Sequence, residues 1–198
     1  METALTILYT HHLAGALDLF PRVATLLKRI KATIHTPLIV LDAGDACQWG
    51  IEICDQTQGR AAPILLDAMG YAAANVSGYV SAQGQEKLTE NYLNMALVSA
   101  GQAASLMGGT VSYGESPLAG ATLHIRLSLA MAVTYQPSPV GILTLQPLTA
   151  GQVGQVTLAA GQAITEIHPL LAEHLPEPTI AAALDFIREE ARYYGRRR

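Results

Sequence analysis

The hydrophobic rhythm changes repeatedly along the first hundred positions. Leu5-Thr6-Ile7-Leu8-Tyr9-Thr10 is β-rich and breaks at His11-His12-Leu13-Ala14-Gly15, predicting a strand and a loop. Behind Phe20-Pro21, the residues Val23, Leu26, Leu27 and Ile30 recur at helical spacing, with Pro21 near the first turn. Lys28, Arg29 and Lys31 lie toward that helix's C-terminal end, where they favour the dipole, and Thr36-Pro37 stops it. Leu38-Ile39-Val40-Leu41-Asp42 is a continuous apolar run ending in a carboxylate, the pattern of a strand covered on both faces. Ala61 to Met69 predicts a second helix with Gly70 at its C′ position. Tyr71 to Val76 reads as a strand, Gln85 to Met95 as a helix, and Ala96 to Ala100 as a fourth strand. Such alternation predicts a parallel α/β sheet, in which functional groups sit at the C-terminal strand ends. That rule selects His11, His12, Asp42, Asp45, Ser77 and Tyr79.

The texture changes after residue 100. Gly101–Gly120 is rich in Gly, Ser and Ala and reads mainly as loop. Ala121–Tyr135 and Val140–Leu148 read as two strands joined by Gln136-Pro137-Ser138-Pro139. Gly151–Leu158 is compatible with a strand or a loop, and Thr179–Tyr194 is a final helix with Ile180, Ala183, Leu184, Ile187 and Ala191 on one face. The expected organisation is one domain, 1–198. It comprises a βα-alternating half (1–100), a loop and β-rich part (101–178), and a C-terminal helix with a basic tail (179–198).

Composition narrows the class. At 50% hydrophobic residues, a formal charge of -4 and mean hydropathy +0.26, the chain is not disordered. Its longest apolar runs are far shorter than a membrane span of about 20 residues. A basic nucleic-acid footprint is missing over most of the chain, and Arg196-Arg197-Arg198 reads as a solvated tail. No nucleic acid and no membrane are therefore expected as partners. Cys47 and Cys54, with no metal-knuckle spacing, read as two buried or half-buried free thiols of a cytoplasmic protein. Met1-Glu2-Thr3 carries no secretion signal. The charged fraction, 14%, is about half the usual 25%, which favours extensive burial through self-association or assembly with other proteins. No G-x-S-x-G elbow, P-loop or complete G-x-G-x-x-G is present.

Four stretches carry a family resemblance. They are the run Leu5 to Gly15 with Thr10-His11-His12-Leu13-Ala14-Gly15 at its end, the run Phe20 to Leu27, the run Leu38 to Gln48 with Leu41-Asp42-Ala43-Gly44-Asp45 in it, and Asp67-Ala68-Met69-Gly70-Tyr71. In order and spacing they resemble the opening of the calcineurin-like metallophosphoesterases, 5′-nucleotidase branch, over about residues 4–100. Leu41-Asp42-Ala43-Gly44-Asp45 is the most specific part, and Val140–Leu145 resembles the family's next core strand. The resemblance implies an α/β fold: a mixed β-sheet sandwich flanked by helices, here shortened. It further implies that the family's later metal-binding histidines lie beyond the helix resembling Thr179–Tyr194. Such a chain leaves a sheet edge or face to be covered, most simply by a second copy.

The departures from the family pattern bear on function. The family's first metal-binding Asp falls on His12 and its first His on Ala14, while Asp45 matches the bridging Asp. The G-N-H-E motif falls on Ser77-Gly78-Tyr79-Val80, so the metal-binding Asn is replaced by Gly78 and the catalytic His by Tyr79. A two-metal hydrolase clamps attacking and leaving oxygens between cations about 3.5–4 Å apart. One inherited carboxylate and one or two histidines hold at most a single divalent metal weakly, at Asp45 and His12. The expected role is a catalytically inactive binding or structural one, in a homo-oligomer or larger complex. A metal-dependent phosphohydrolase and a nucleotide or small-ligand sensor are the alternatives. The expected remnant pocket comprises His11, His12, Asp42, Asp45, Gln48 and Tyr79, with a small phosphorylated compound as its ligand class. Asp42 and Asp45 invite an acid/base reading, against which Asp45 bonding the N–H groups of its own turn is the simpler one. Trp49 is expected to pack at the core or an edge, and His168 and His174 to be exposed loop residues.

Overall fold

The computed structural model describes residues 4–90, 93–106, 109–128 and 132–195. In chain order its strands are β1 Leu5–Thr10, β2 Leu38–Asp42, β3 Ala73–Asn75, β4 Ala96–Val98, β5 Ala103–Leu106, β6 Gly109–Tyr113, β7 Leu123–Leu127, β8 Thr134–Gln136, β9 Gly141–Leu145, β10 Gln152–Ala159 and β11 Gln162–Pro169. The helices are α1 Phe20–Lys31, α2 Glu52–Gln56, α3 Ala61–Ala68, α4 Ala82–Glu90 and α5 Pro178–Gly195, with a short 3-10 turn at Leu17–Leu19.

Strand β1 shows how the layers arise. Ile7 and Tyr9 point into a core between two sheets, whereas Leu8 points into a second core under the helices. Strand β2 repeats the division, with Ile39 and Leu41 on one side and Val40 on the other. Burial on both faces is what a continuous apolar run encodes. The first sheet has the order β11-β10-β1-β2-β3-β4, with β1 to β4 parallel and β10 antiparallel to β1. The second has the order β5-β6-β7-β9-β8, with β6, β7 and β9 parallel. Phe20, Val23 and Leu27 of α1, Leu65 and Leu66 of α3, and Ile180, Leu184 and Ile187 of α5 cover the outer face of the first sheet. Val111, Ile125, Leu143 and Leu145 bring the second sheet against its inner face.

Close packing fixes the centre of the sandwich. Gly154 lies opposite Tyr9 in the β1–β10 register, and a Cβ there would come within 2.1 Å of the Tyr9 ring. The glycine lets the ring lie across the strand, and the Tyr9 hydroxyl then donates to the Gln146 carbonyl at 3.1 Å.

The structure corrects several sequence expectations. The segment Gly101–Gly120 contains β5 and β6. Ala121–Tyr135 is two elements, β7 and β8, and residues 129–131 between them lie outside the described residues. Gly151–Leu158 is strand, and α2 and β11 have no counterpart in the sequence reading. The third predicted helix runs from Ala82 to Glu90. The terminal arginines, 196–198, lie outside the described residues. Cys47 and Cys54 are not free thiols; they form a disulfide with Cα atoms 5.9 Å apart. The cytoplasmic expectation thus loses its thiol argument, since disulfides persist mainly in oxidising compartments. His174 is buried, its Nδ1 accepting the Leu171 N–H at 2.8 Å. His168 is half-buried on β11 and meets Gln155 at 3.1 Å. No helix among the described residues is long and apolar enough to cross a membrane.

Candidate functional site

Strands β1, β2 and β3 end side by side, and their following loops are laced together. Ala43 N–H donates to Thr10 O at 2.8 Å, His12 N–H to Gly44 O at 3.0 Å, and Ala14 N–H to Asp45 O at 2.8 Å. Asn75 adds the third loop, donating to Ala43 O at 3.1 Å and accepting the Ser77 N–H at 3.2 Å. His12 and Asp45 both sit at positive φ, 54° and 56°, a region costly for residues with a Cβ. Such strained positions persist where the surroundings over-determine them and concentrate at functional sites.

The two aspartates separate into different layers. Asp42 is fully buried, where Thr10 Oγ1 donates to its Oδ2 at 2.8 Å and Gly44 N–H to its Oδ1 at 3.1 Å. Burial raises its pKa from 3.8 to about 8, outweighing those two bonds. Asp45 is 61% exposed, so the turn-bonding role expected of it belongs to Asp42 instead. Two imidazoles face the Asp45 carboxylate: His11 Nε2 at 3.7 Å from Oδ2 and His12 Nδ1 at 3.8 Å. Leu148 N–H donates to His11 Nδ1 at 3.4 Å, a contact that only a neutral Nδ1 accepts. Burial lowers the His11 pKa, and the Asp45 charge partly opposes the shift.

The remaining predicted residues divide. Gln48 is exposed on the β2 loop, near the site but outside the buried cluster. Tyr79 is buried, and its hydroxyl has no hydrogen-bond partner among the described residues. Its pKa is pushed well up by burial, with the Asp42 and Asp45 charges adding to the shift. Trp49, expected to pack at the core or an edge, is 47% exposed and donates to Gly78 O at 2.8 Å, tying the β2 loop to the β3 loop.

Sequence reasoning missed three contributors. Thr10 and Tyr71 share a buried contact at 3.1 Å beside Asp42. Tyr113, from β6, brings a second buried hydroxyl with no partner among the described residues. It also lines a cavity of about 180 Å³ between the sheets, together with Ala43, Asn75, Glu115 and Arg126. The segment holding Tyr113 read as loop, so nothing in the chain's pattern pointed to it.

This architecture has known relatives in shape. The structure matches a 5′-nucleotidase precursor from Thermus thermophilus with a TM-score of 0.64 at 13% identity, over 96% of this chain and 59% of that one. It matches the calcineurin-like phosphoesterase YfkN from Bacillus subtilis with a TM-score of 0.60 at 11% identity, over 98% of this chain and 99% of that one. The fold is that of the calcineurin-like phosphoesterases. A third match, the NAD nucleotidase of Haemophilus influenzae, has a TM-score of 0.57 at 12% identity and covers 94% of this chain and 56% of that one. The chain therefore spans little more than half the length of the two nucleotidases. No family model and no curated protein matches the sequence.

The fold raises the question of a dinuclear metal centre. The positions that resemble the family's ligands are His12, Ala14, Asp45, Gly78 and Tyr79. Ala14 and Gly78 bring no donor atom, and the Tyr79 phenol is buried and held protonated by that burial. One exposed carboxylate and one imidazole remain at those positions, with the His11 imidazole beside them. Among the described residues, no group of three or more His, Cys, Asp or Glu side chains is arranged to hold an ion. A dinuclear centre does not fit this donor set, because one carboxylate cannot balance four positive charges.

Proposed function

We propose that this chain uses the phosphoesterase fold for binding, without phosphoester hydrolysis, within an assembly of chains. The observation that carries the reading is Tyr79. At the position resembling the family's catalytic His it places a buried, protonated phenol, which is neither a general acid near neutral pH nor an available metal ligand. Gly78 and Ala14 remove further donors beside it.

The cavity lined by Asn75, Tyr113, Glu115 and Arg126 supports a small, oxygen-rich ligand. The hydroxyls of Tyr79 and Tyr113 lack partners among the described residues, and a buried unpaired hydroxyl costs about 1–3 kcal/mol. A ligand oxygen in the cavity recovers that cost where it meets Tyr113, which lines it. Asn75 and Arg126 line that cavity as donors with Glu115 beside them, His11 and His12 face Asp45 on the adjoining loops, and small phosphorylated compounds are the proposed ligand class. The competing reading, a one-metal phosphohydrolase at His12 and Asp45, draws on the approach of both imidazoles to one carboxylate.

Trp49, the only tryptophan, ties the β2 loop to the β3 loop through Gly78 O, so its fluorescence reports a ligand that displaces these loops. A thermal-shift screen with mononucleotides, dinucleotides and inorganic phosphate tests binding, since a ligand stabilises by RT ln(1 + [L]/Kd). A ligand that raises Tm and perturbs Trp49 emission is expected. No shift and no emission change with any of these compounds at millimolar concentration overturns the binding reading.

A further inference from the structure

The edge of the first sheet has an unpaired, regularly spaced hydrogen-bonding surface. Strands β10 and β11 form a hairpin through Ala160 and Gly161, both at positive φ (48° and 74°), as a two-residue turn requires. The residues flanking such a turn, Ala159 and Gln162, are a hydrogen-bonded pair, and bonded pairs then alternate along the ladder. Leu170 N–H, donating to Gly151 O at 2.7 Å, continues the same even-numbered series. Gln162, Ile164, Glu166 and His168 therefore spend their backbone groups on β10. Ala163, Thr165 and Ile167 turn theirs outward.

Strand β11 pairs with no other strand among the described residues. Thr165, Glu166 and Ile167 are exposed, and Ile164 is 66% exposed. Long exposed edges of this kind are templates for strand addition, and natural proteins cover them. Pro169, which has no N–H, ends the usable stretch.

The occupant that fits is a second copy of this chain. A twofold axis perpendicular to the sheet sets one residue opposite itself, because directly opposed residues must share a face. Centring the axis on Thr165 pairs Thr165 with its copy and Ala163 with Ile167 in both directions. All three outward-turned residues are used, in pairs that each exchange two bonds, about six in all. No like charges are opposed, since Glu166 meets Ile164. Centring on Glu166 sets two carboxylates face to face. Centring on Ile167 sets Thr165 against Pro169, and centring on Ile164 leaves Ile167 without a partner. We propose that the chain forms a symmetric dimer by antiparallel pairing of β11 centred on Thr165, joining two six-stranded sheets into one. The inference rests on the assembly part of the function proposed above and names its surface and partner.

The full chain is tested by native mass, with two variants. Thr165→Pro removes an outward N–H at a position where an edge strand accepts proline, and far-UV circular dichroism checks that the fold is kept. Thr165→Cys places the only free thiol among the described residues opposite its own copy, at a Cα separation of about 5.5 Å that a disulfide spans. The expected result is a wild-type mass of twice 21.0 kDa, a Thr165→Pro protein at 21.0 kDa, and a Thr165→Cys protein that oxidises to a covalent dimer. A wild-type mass of 21.0 kDa at micromolar concentration overturns both the edge pairing and the assembly reading. An assembly that survives in Thr165→Pro, with no Thr165→Cys cross-link, overturns the edge pairing and leaves the assembly reading standing. If Thr165→Pro misfolds, the Thr165→Cys cross-link decides, with an equal cross-link from Ile164→Cys overturning the register.

Discussion

Thr10 and Asp42 end adjacent parallel strands and are joined by a 2.8 Å hydrogen bond from the hydroxyl to Oδ2. The pair is fully buried. Asp45, three residues on, rises into solvent between two histidines. One short loop thus separates a structural carboxylate from a surface one.

Burial of Asp42 has a pH consequence. Its folded-state pKa is raised to about 8 from an unfolded value near 3.8, so between those values the folded chain binds more protons than the unfolded one. Stability then falls as pH rises through that window, by at most about 1.4 kcal/mol per pH unit. Wild-type Tm is expected to decline between pH of about 5 and about 8. Asp42→Asn is expected to flatten that slope in a series of melting curves. An unchanged slope in the variant assigns the effect elsewhere.

Gly154 is predicted to be intolerant of any side chain. Ala at this position drives a Cβ to within 2.1 Å of the Tyr9 ring, and overpacking of this kind costs about 1–3 kcal/mol or more. Tyr9→Phe loses only the bond to Gln146 O, a cost of about 1 kcal/mol. Denaturant titrations of the two variants are expected to rank Gly154→Ala as the more damaging.

The disulfide is directly countable. Unfolded, unreduced protein is expected to show no free thiol from Cys47 or Cys54 in a thiol titration. The closed loop is short, with a sequence separation of 7, so reduction is expected to lower stability by roughly 2–3 kcal/mol on the chain-entropy account. Two titratable thiols in the unreduced protein contradict the pairing.

Much of the first half was legible because its physics is local. A parallel strand buried on both faces must be apolar throughout, and β1 and β2 are. Helices α1 and α5 show their buried stripe as spacing. Strands β5 and β6 were hidden because Ala103, Ala104, Ser105, Gly109 and Ser112 carry neither alternation nor much β-branching, and the second sheet supplies their context. Strand β11 was hidden because most of its residues are exposed, which leaves no periodic signal. At the candidate site, the sequence pointed to His11, His12 and Asp45, which the structure brings together, and to Asp42 and Tyr79, which it buries. The sequence did not point to Tyr113, which a different sheet brings across the interface. Nor could two cysteines show whether they meet, since only the fold of the β2 loop onto α2 sets their separation.

No dinuclear hydrolytic centre is expected in this chain, and metal stoichiometry measured alongside turnover decides the matter. Protein saturated with Mn²⁺, freed of unbound ion and assayed with a chromogenic phosphodiester is predicted to retain well under one metal per chain. Its turnover is predicted to match buffer and to be unaffected by Asp45→Ala. Two metals per chain, with turnover abolished by Asp45→Ala, would show a working dinuclear centre and overturn the binding reading.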